Sequence, residues 1–276
     1  MNGDRIDSAA DLGLTELAEV FTAGFAGYVI PFRMTPGALA ERIASEDIDL
    51  EASRILWRGR EPVGLAMVAR RGWVSRVAAM GIRSEARGTG VGRALLARLL
   101  DDARARGDRR MRLEVFENNP AARRLYEGGG FRTVTRLVGY EAKTLQPEPH
   151  ELEERDPAEF AARLAAADPG RLPWQLEPAS LSAPPASARC FSLEGKAFAY
   201  VSGLSGQAVL IRGVLTLPAV RLRGHASRLL RALAARHPGA ALSVQPLMPE
   251  GLAPRFFEKA GFQPGTLTQL EMDRSL

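Results

Sequence analysis

The sequence predicts an α/β protein, of the α+β kind, built from two domains. The chain has 276 residues, more than the roughly 100 to 150 residues of the commonest domain size. Helical and strand patterns alternate in its first half, and the second half repeats parts of the first. Between the halves, residues 145–160 are rich in proline and acidic side chains, which is typical of a linker. We therefore expect one domain at 1–145 and a second at 146–276.

The first half begins with two predicted helices, because apolar residues recur there at intervals of three and four. Three strands follow, separated by short turns. A helix, a strand, a short helix and paired strands complete the order. In sequence, these elements are predicted as helices at 15–27 and 35–47, strands within 52–82, a helix at 90–106, a strand at 109–116, a helix at 119–129 and paired strands at 131–144.

Two segments of the first half recur in the second. TLPAVRLRGHASRLLRAL at 216–233 resembles IRSEARGTGVGRALLARL at 82–99, and EGLAPRFFEKAGF at 250–262 resembles NPAARRLYEGGGF at 119–131. Solenoid repeats have periods of about 20 to 50 residues, whereas this spacing is about 130 residues. The repeat therefore indicates two copies of one domain.

Composition excludes several functional classes. The single Cys190 excludes an internal disulfide framework and is predicted to be a buried thiol, and the three histidines lack the spacing of a zinc site. No apolar run approaches the roughly 20 residues of a membrane span. The first residues, MNGDRIDSAADLG, are polar and acidic, unlike a signal peptide. We expect a cytoplasmic protein that binds neither a metal nor a membrane.

The basic charge does not predict nucleic-acid binding. The pI is about 9.8, but the formal net charge is only +5. Nearly all basic residues are arginines, and none of the basic runs is interleaved with aromatic side chains as nucleic-acid-binding surfaces commonly are. We expect no nucleic-acid partner.

A glycine-rich stretch, EARGTGVGRALLARLL at 85–100, follows the predicted strand that ends near Ile82. It lacks the Walker pattern, and in the dinucleotide pattern G-x-G-x-x-G the third glycine is replaced by Arg93 or Leu95. The pattern present is R-x-x-G-x-G. Glycines let the backbone approach an anion, and the first N–H groups of a helix attract one. The stretch therefore predicts either a pyrophosphate site or a turn that packs a helix on a sheet.

A second motif favours the first alternative. The residues at 119–131 include Asn119, Ala122, Leu125, Tyr126, Gly130 and Phe131. Together with the glycine loop, this pattern resembles the GCN5-related N-acetyltransferase (GNAT) family over about residues 10–145. The resemblance implies a mixed, mostly antiparallel central sheet flanked by helices in each copy, and it implies acetyl-CoA as co-substrate.

The family places the cofactor between two splayed parallel strands and over the glycine loop. By this resemblance, the cofactor-binding residues are Met80, Gly81, Ile82, Arg87, Gly88, Thr89, Gly90, Val91, Gly92, Arg93 and Asn119. The family often has a proline where this chain has Ser84, a departure that concerns the stiffness of the turn. Asn119 is also predicted to cap a helix, with Pro120 at its first position.

Direct acetyl transfer needs a base to deprotonate the amine and an acid to protonate the leaving thiolate. Tyr126 stands where the family commonly places the acid; otherwise it is an aromatic residue that packs the helix onto the sheet. Glu114, twelve residues earlier, resembles the glutamate base of the family's ribosomal-protein alanine acetyltransferases. It must point away from the face of Leu113 and Val115, so it is either this base or a solvated or salt-bridged strand residue.

The second copy keeps the loop and loses the chemistry. Arg221, Gly224 and Ala226 preserve the loop pattern, whereas Phe257 replaces Tyr126 and Glu250 replaces Asn119. Since a phenyl ring cannot protonate a thiolate, we expect the C-terminal copy to be degenerate. His225 is expected to be a loop residue and not a catalyst.

These residues predict an N-acetyltransferase that moves an acetyl group from acetyl-CoA to a primary amine; the alternative is a protein that binds or senses acyl-CoA without turnover. The acceptor is expected to be a small molecule or a peptide, and the protein a monomer or homodimer. Acceptor contacts are predicted at 27–37, from Tyr28, Phe32 and Arg33, although these side chains could equally be packing residues.

Overall fold

The computed structural model describes residues 4–28, 33–203 and 207–276. It divides into two compact units, Met1–Val134 with Leu270–Leu276, and Thr135–Gln269. The sequence predicts two functional domains that meet between residues 145 and 146, and this boundary stays a prediction. The two compact units have different limits from the predicted domains, because two long strands each begin in one unit and end in the other.

The first unit holds the elements up to the first of these strands. They are β1 (Asp4–Ser8), α1 (Leu14–Gly24), α2 (Pro36–Glu46), β2 (Ile48–Arg58), β3 (Glu61–Arg71), β4 (Val74–Ile82), α3 (Val91–Ala105), β5 (Arg110–Phe116), α4 (Pro120–Gly128) and the start of β6 (Arg132–Ala142). The predicted helices and strands up to residue 129 are all present, and β1 is an addition to them.

The second unit continues from β6. Its elements are β7 (Glu153–Arg155), α5 (Pro157–Ala166), α6 (Pro178–Leu181), β8 (Arg189–Leu193), β9 (Ala197–Ser202), β10 (Ala208–Thr216), α7 (His225–Arg236), β11 (Ala241–Pro249), α8 (Pro254–Lys259) and most of β12 (Phe262–Ser275).

In the first unit the sheet order is β1-β2-β3-β4-β5, followed by the end of β12. The neighbouring pairs from β1 to β4 are antiparallel, and β4 and β5 are parallel. In the second unit β7, β8, β9 and β10 pair antiparallel, β10 and β11 are parallel, and β11 pairs antiparallel with β6. Each unit therefore has a mixed, mostly antiparallel sheet with helices, and the predicted fold class is confirmed.

The prediction of paired strands at 131–144 is wrong, because β6 is one continuous strand. Gly139, which could have marked a turn, instead lets another backbone come close. A Cβ atom there would lie 2.7 Å from the carbonyl oxygen of Val244. The glycine is thus explained by the approach of β11, a partner distant in sequence.

The repeat predicted from the sequence is present in the structure. Each unit has a parallel strand pair whose first strand, β4 or β10, contains a bulge, and a single-turn 3-10 helix, Ser84–Ala86 or Pro218–Val220, follows that strand. Gly90 and Gly224 then begin α3 and α7 in the same left-handed conformation, with φ of 89° and 80°.

The predicted linker belongs in part to the second unit. The N–H of Thr144 donates to the carbonyl of Gly261 at 3.0 Å, and that of Glu148 donates to the carbonyl of Arg231 at 3.2 Å. These bonds hold residues 144–148 against α7 and α8. The new helix expected after the linker is α5, capped by Asp156.

Cys190 is fully buried in the second unit, as predicted. Burial raises the pKa of its thiol to about 12, which keeps it protonated and unreactive. Among the described residues, none of the helices is both long enough and apolar enough to cross a membrane. In the same residues, no cluster of three or more histidine, cysteine or acidic side chains is placed to hold a metal ion.

The core of the first unit includes residues from the end of the chain. Leu270 and Met272 of β12 pack into the same buried cluster as Leu113 and Phe131. Beside them, the carboxylate of Glu271 accepts a hydrogen bond from Arg112 at 2.8 Å, and the two side chains are 1% and 9% exposed. A buried ion pair thus joins β12 to β5.

Replacing Glu271 by alanine should destabilise the protein by about 3 to 5 kcal/mol, because Arg112 would keep a buried charge without its partner. The free energy of unfolding from urea titration measures this. Asp101→Ala is the control, since Asp101 forms a 3.0 Å ion pair with Arg104 on the exposed face of α3, and such surface pairs contribute about 1 kcal/mol or less. Equal losses in the two variants would contradict the role given to the buried pair.

Candidate active site

A cleft of about 1080 Å³ lies within the first unit, between the end of α1, the end of β4, and helices α3 and α4. The two sequence motifs meet there. The predicted residues that line it are Met80, Gly81, Ile82, Arg87, Gly88, Gly90, Val91, Gly92, Arg93, Asn119 and Tyr126. Thr89 and Glu114 do not line it.

The glycine loop forms one end of the cleft. Gly88 and Gly90 have φ of 77° and 89°, a conformation that favours glycine. Gly90 begins α3 without a side-chain cap, so the first N–H groups of the helix are available to an anion. A Cβ atom on either glycine would meet no other atom within 4 Å, which means that the space above the loop is open. The Thr89 hydroxyl turns inward and donates to the carbonyl of Ala86 at 2.8 Å.

The guanidinium of Arg87 braces the loop. It donates to the carbonyls of Ile82 and Ala26, both at 2.8 Å, and to that of Gly24 at 3.3 Å. These contacts tie the end of β4 to the end of α1. Arg87 lines the cleft, as its predicted role requires, but its charged group is engaged by backbone oxygens.

The floor of the cleft is formed where β4 and β5 separate. Their register runs from Val74 opposite Arg110 to Val77 opposite Leu113. A bulge in β4 follows immediately, at Ala78. The last residues of β4 pair only on their other edge, with β3; the pairs are Met80 with Ala66, Gly81 with Leu65 and Ile82 with Gly64. Their edge toward β5 therefore faces the cleft.

Close packing of α1 fixes the position of this strand end. A Cβ atom on Gly81 would lie 2.7 Å from the ring of Phe25, and one on Gly24 would lie 3.1 Å from the carbonyl carbon of Gly81. Real Cβ atoms essentially never come as close as the first distance. Glycine at both positions thus lets the end of α1 lie directly on β4.

Tyr126 of α4 lines the cleft and is 7% exposed. Its ring lies edge-on to Phe131, with centroids 5.9 Å apart. Burial raises the pKa of its phenol, and the nearby phenol of Tyr28 raises it further. Tyr126 therefore stays protonated at neutral pH and keeps a proton that it can donate.

Asn119 and Tyr28 lie beside this phenol. The Asn119 side chain accepts a hydrogen bond from the N–H of Ala122 at 3.1 Å and so caps α4, as predicted. It is also hydrogen-bonded to Tyr28, a bond that lowers the pKa of this tyrosine, although burial raises it overall. Tyr28 lines the cleft, whereas Arg33 does not. Phe32, the third predicted acceptor contact, lies outside the described residues.

Glu114 lies on the face of β5 opposite Leu113 and Val115, as predicted, and its side chain is only 4% exposed. Arg76 donates two hydrogen bonds to it, at 2.8 and 2.6 Å, and a third to Glu46 at 2.6 Å. The salt-bridged alternative is therefore what the structure contains. The prediction that Glu114 is the general base stays untested.

The cleft also contains residues that the sequence did not indicate. Phe25 packs at its edge, and Arg124 and Arg274 line it. The periodicity of α1 could have identified Phe25 only as a buried position. Arg274 has no local signal, because it reaches the cleft from a strand 145 residues beyond its hydrogen-bond partner Gly129.

The corresponding region of the second unit differs in its side chains. Leu222 replaces Gly88, has φ of 62° and is fully exposed. Phe257 replaces Tyr126 and stacks on Tyr140, with centroids 4.4 Å apart. His225 begins α7 and contacts the guanidinium of Arg228 through Nδ1 at 2.7 Å. None of these groups supplies the phenol that the first unit has.

Residues 144–148 occupy part of the groove between α7 and α8. A Cβ atom on Gly261 would lie 2.6 Å from the N atom of Leu145, and Glu148 forms a 3.0 Å ion pair with Arg231. By the repeat, Arg231 and Ala260 correspond to Ala97 and Gly129 in the cleft of the first unit. A cavity of about 450 Å³ is left beside this segment.

A bulged strand, an uncapped glycine loop and a splayed parallel strand pair meet at this cleft, and the N-terminus of a helix such as α3 favours an anion. Comparison with known proteins identifies the class. Residues 28–131 match the model of the acetyltransferase (GNAT) family. The first unit therefore contains a GNAT-family domain, and the predicted resemblance is confirmed. Family and fold together support acyl transfer as the general class of reaction.

Solved structures of the same fold match nearly the whole chain. A GCN5-related N-acetyltransferase from Sphaerobacter thermophilus is 15% identical, with a TM-score of 0.66, covering 100% of this chain and 96% of its own. A putative acetyltransferase from Pyrococcus horikoshii is 18% identical, with a TM-score of 0.66 and coverage of 100% and 90%. A tandem GNAT protein from the clavulanic acid biosynthesis pathway is 14% identical, with a TM-score of 0.68 and coverage of 99% and 98%. None of the curated proteins compared with the chain matches it.

The ion pairs around Arg76 make stability depend on acid pH. Burial alone would raise the pKa of Glu46, but the charges and hydrogen bonds of Arg42 and Arg76 outweigh it and lower that pKa. A carboxyl with a lowered folded-state pKa contributes stability above its unfolded pKa and loses it as the pH falls through the folded value.

We therefore expect Glu46→Gln to flatten the fall in unfolding free energy between about pH 5 and pH 2, a window that starts near the unfolded glutamate pKa of about 4.3. Urea titrations across this range measure the effect. Glu19→Gln, at an exposed position of α1, is the control. A Glu46→Gln profile parallel to that of the wild type would contradict the assignment.

Proposed function

We propose that the chain is an N-acetyltransferase, which moves the acetyl group of acetyl-CoA to a primary amine of a small molecule or peptide in a ternary complex. The observation that carries this proposal is the cleft of the first unit. It brings the uncapped loop, the free edge of β4 and the protonated Tyr126 to one place. The strand end and the loop that follows it thus converge with Tyr126, which is distant in sequence, on one ligand-sized space.

The loop and the strand end would hold the cofactor. Backbone N–H groups from Gly88 to Gly92 would bind the pyrophosphate, which the α3 dipole also favours. The N–H of Arg93 donates instead to the carbonyl of Gly90 at 3.0 Å. Backbone groups of Met80 and Ile82, on the edge that faces the cleft, would pair with the amides of the pantetheine arm. The bound thioester supplies the acetyl group, and its carbonyl carbon is the atom that the amine attacks.

Tyr126 would act when the thioester bond breaks. The amine nitrogen forms a bond to the acetyl carbon, the carbon–sulfur bond breaks, and the sulfur leaves with the electron pair. The nitrogen gives up its extra proton to water, or through water to Glu114, the predicted base. The sulfur leaves more readily when a general acid protonates it. Tyr126, whose raised pKa keeps it protonated, would give it that proton. Its neighbour Tyr28 lies at the same cleft, and we propose it as a contact of the acceptor.

The second unit would take no part in the chemistry. Phe257 has no proton to donate, and it packs against Tyr140 inside a buried cluster. Residues 144–148 occupy part of the groove that corresponds to the cleft of the first unit. We propose that one acyl-CoA binds per chain.

Tyr126→Phe should lower kcat by about 100-fold or more with acetyl-CoA and an accepting amine, since general acid catalysis contributes about 10²- to 10⁴-fold. KM for acetyl-CoA should change little, because the ring is kept. Release of free thiol measures the rate against a panel of amines. Tyr140→Phe, which removes a phenol from the second unit, should leave kcat unchanged. Undiminished turnover by Tyr126→Phe would show that Tyr126 is not the general acid. Binding of acetyl-CoA by the wild type without turnover would favour the alternative, a protein that senses acyl-CoA.

The two loop glycines offer a matched test of the single site. Gly90→Ala and Gly224→Ala each place a side chain at positive φ, which costs about 1 to 2 kcal/mol of stability in either unit. Only Gly90→Ala should weaken CoA binding, because its methyl group would stand in the space above the open loop. Calorimetric titration should give one site per chain in the wild type and in Gly224→Ala. A second site, or weakened binding in Gly224→Ala, would contradict the proposal.

A further inference from the structure

The cleft of the first unit is lined by positive charge. Among the described residues that line it, the ionisable side chains are two tyrosines and four arginines, with no carboxylate. The arginines are Arg87, Arg93, Arg124 and Arg274. The guanidinium of Arg87 is engaged by three carbonyls, so the other three are the ones that can meet a ligand.

Arg274 comes from the last strand of the chain. β12 is held beside β5 by the buried Arg112–Glu271 pair, and the N–H of Leu276 donates to the carbonyl of Arg109 at 3.1 Å. These bonds fix the strand on both sides of Arg274. Its side chain, which is partly exposed, is therefore delivered to the cleft by ordered backbone.

The guanidinium of Arg274 lies across the turn that ends α4. It donates to the carbonyl of Gly129. A Cβ atom on Gly130, which has φ of 83°, would lie 3.3 Å from the guanidinium carbon. One of its five N–H groups is used by this carbonyl, and the others remain available, since a guanidinium presents five donors in a planar fork.

Arg93 and Arg124 border the same cleft from α3 and α4. Neither guanidinium forms a hydrogen bond or ion pair with any residue that the structure describes. Arginine charges that line a cleft without an acidic partner favour an anionic ligand, and phosphate suits the planar guanidinium because two N–H groups can bind it at once.

Coenzyme A carries two phosphate groups of different kinds. The pyrophosphate is the one that the backbone of the glycine loop fits, as argued above. The other is the 3′-phosphate on the ribose, a monoester with close to two negative charges near neutral pH. Backbone amides cannot surround both groups, so the second one needs side chains.

We infer that Arg274, with Arg93 and Arg124, binds the 3′-phosphate of coenzyme A, so that the C-terminal strand sets the preference of the N-terminal unit for the 3′-phosphorylated cofactor. This inference rests on the proposed function, because it assumes that acyl-CoA occupies the cleft. It adds Arg274 to the proposed site and gives a binding partner to the 3′-phosphate, which the glycine loop does not bind.

Titration of the full-length protein with CoA and with 3′-dephospho-CoA tests the inference by calorimetry. The wild type should bind CoA about tenfold or more tightly than dephospho-CoA, which is the range of a charge-assisted hydrogen bond. Arg274→Gln should remove most of that preference by weakening CoA alone. Its affinity for dephospho-CoA should stay within about twofold of the wild-type value, because the group that Arg274 contacts is missing from that ligand.

Arg110→Gln is the matched control. Arg110 lies on β5 beside Asp273, is half exposed and does not line the cleft, so this variant removes the same charge from the same unit. It should keep the wild-type preference for CoA. Thermal unfolding of the three proteins shows whether each is folded under the conditions of the titration.

Equal weakening of both ligands by Arg274→Gln would overturn the inference, because it would mean that Arg274 only holds the end of α4. Unchanged binding of both ligands, or an equal effect of Arg110→Gln, would also overturn it. A wild type that binds neither ligand would remove the proposed function and this inference together. A wild type that binds both equally would remove this inference and leave the proposed function standing.

Discussion

The separation of β4 from β5 is the constraint on which the rest of the site depends. Parallel pairing stops after Val77 and Leu113, where the bulge at Ala78 turns the strand away. Backbone N–H and C=O groups need partners, so the edge of β4 beyond the bulge can pair with an extended ligand. The same divergence decides where the next elements begin. The glycine loop follows the end of β4, and α4 follows the end of β5, so the loop and Tyr126 lie on either side of one gap.

The second unit has the same strand arrangement with different side chains. β10 and β11 also pair in parallel and then diverge at a bulge. Arg212 occupies the bulge position of Ala78, and its guanidinium donates to the side chain of Gln245 at 2.8 Å. Two long polar side chains thus contact each other where the first unit has a small alanine. The backbone arrangement is thus common to both copies, whereas the side chains at the bulge differ.

The parts of the site that could be predicted from the sequence are those encoded by neighbouring residues. Positive φ at Gly88 and Gly90 and the cap at Asn119 depend on local conformation, so their motifs were sufficient. The partner of Glu114 was not predictable, because Arg76 lies 38 residues away and strand pairing brings them together. The continuous strand β6 was missed for a similar reason. A residue pattern with period two is the same for one long strand as for two short ones, and Gly139 resembles a turn until the approach of β11 is known.

The last strand of the chain links the first unit to the segment that forms the second unit. The first unit is completed by Leu270–Leu276, which reaches it only after the chain has passed through Thr135–Gln269. These last residues supply Met272 to the core and Glu271 to the buried pair with Arg112. If the second unit were lost, β5 would present an unpaired edge and a buried arginine without its carboxylate, and both are costly. The residues that complete the first unit therefore follow the second unit in the chain, and β12 belongs to both units.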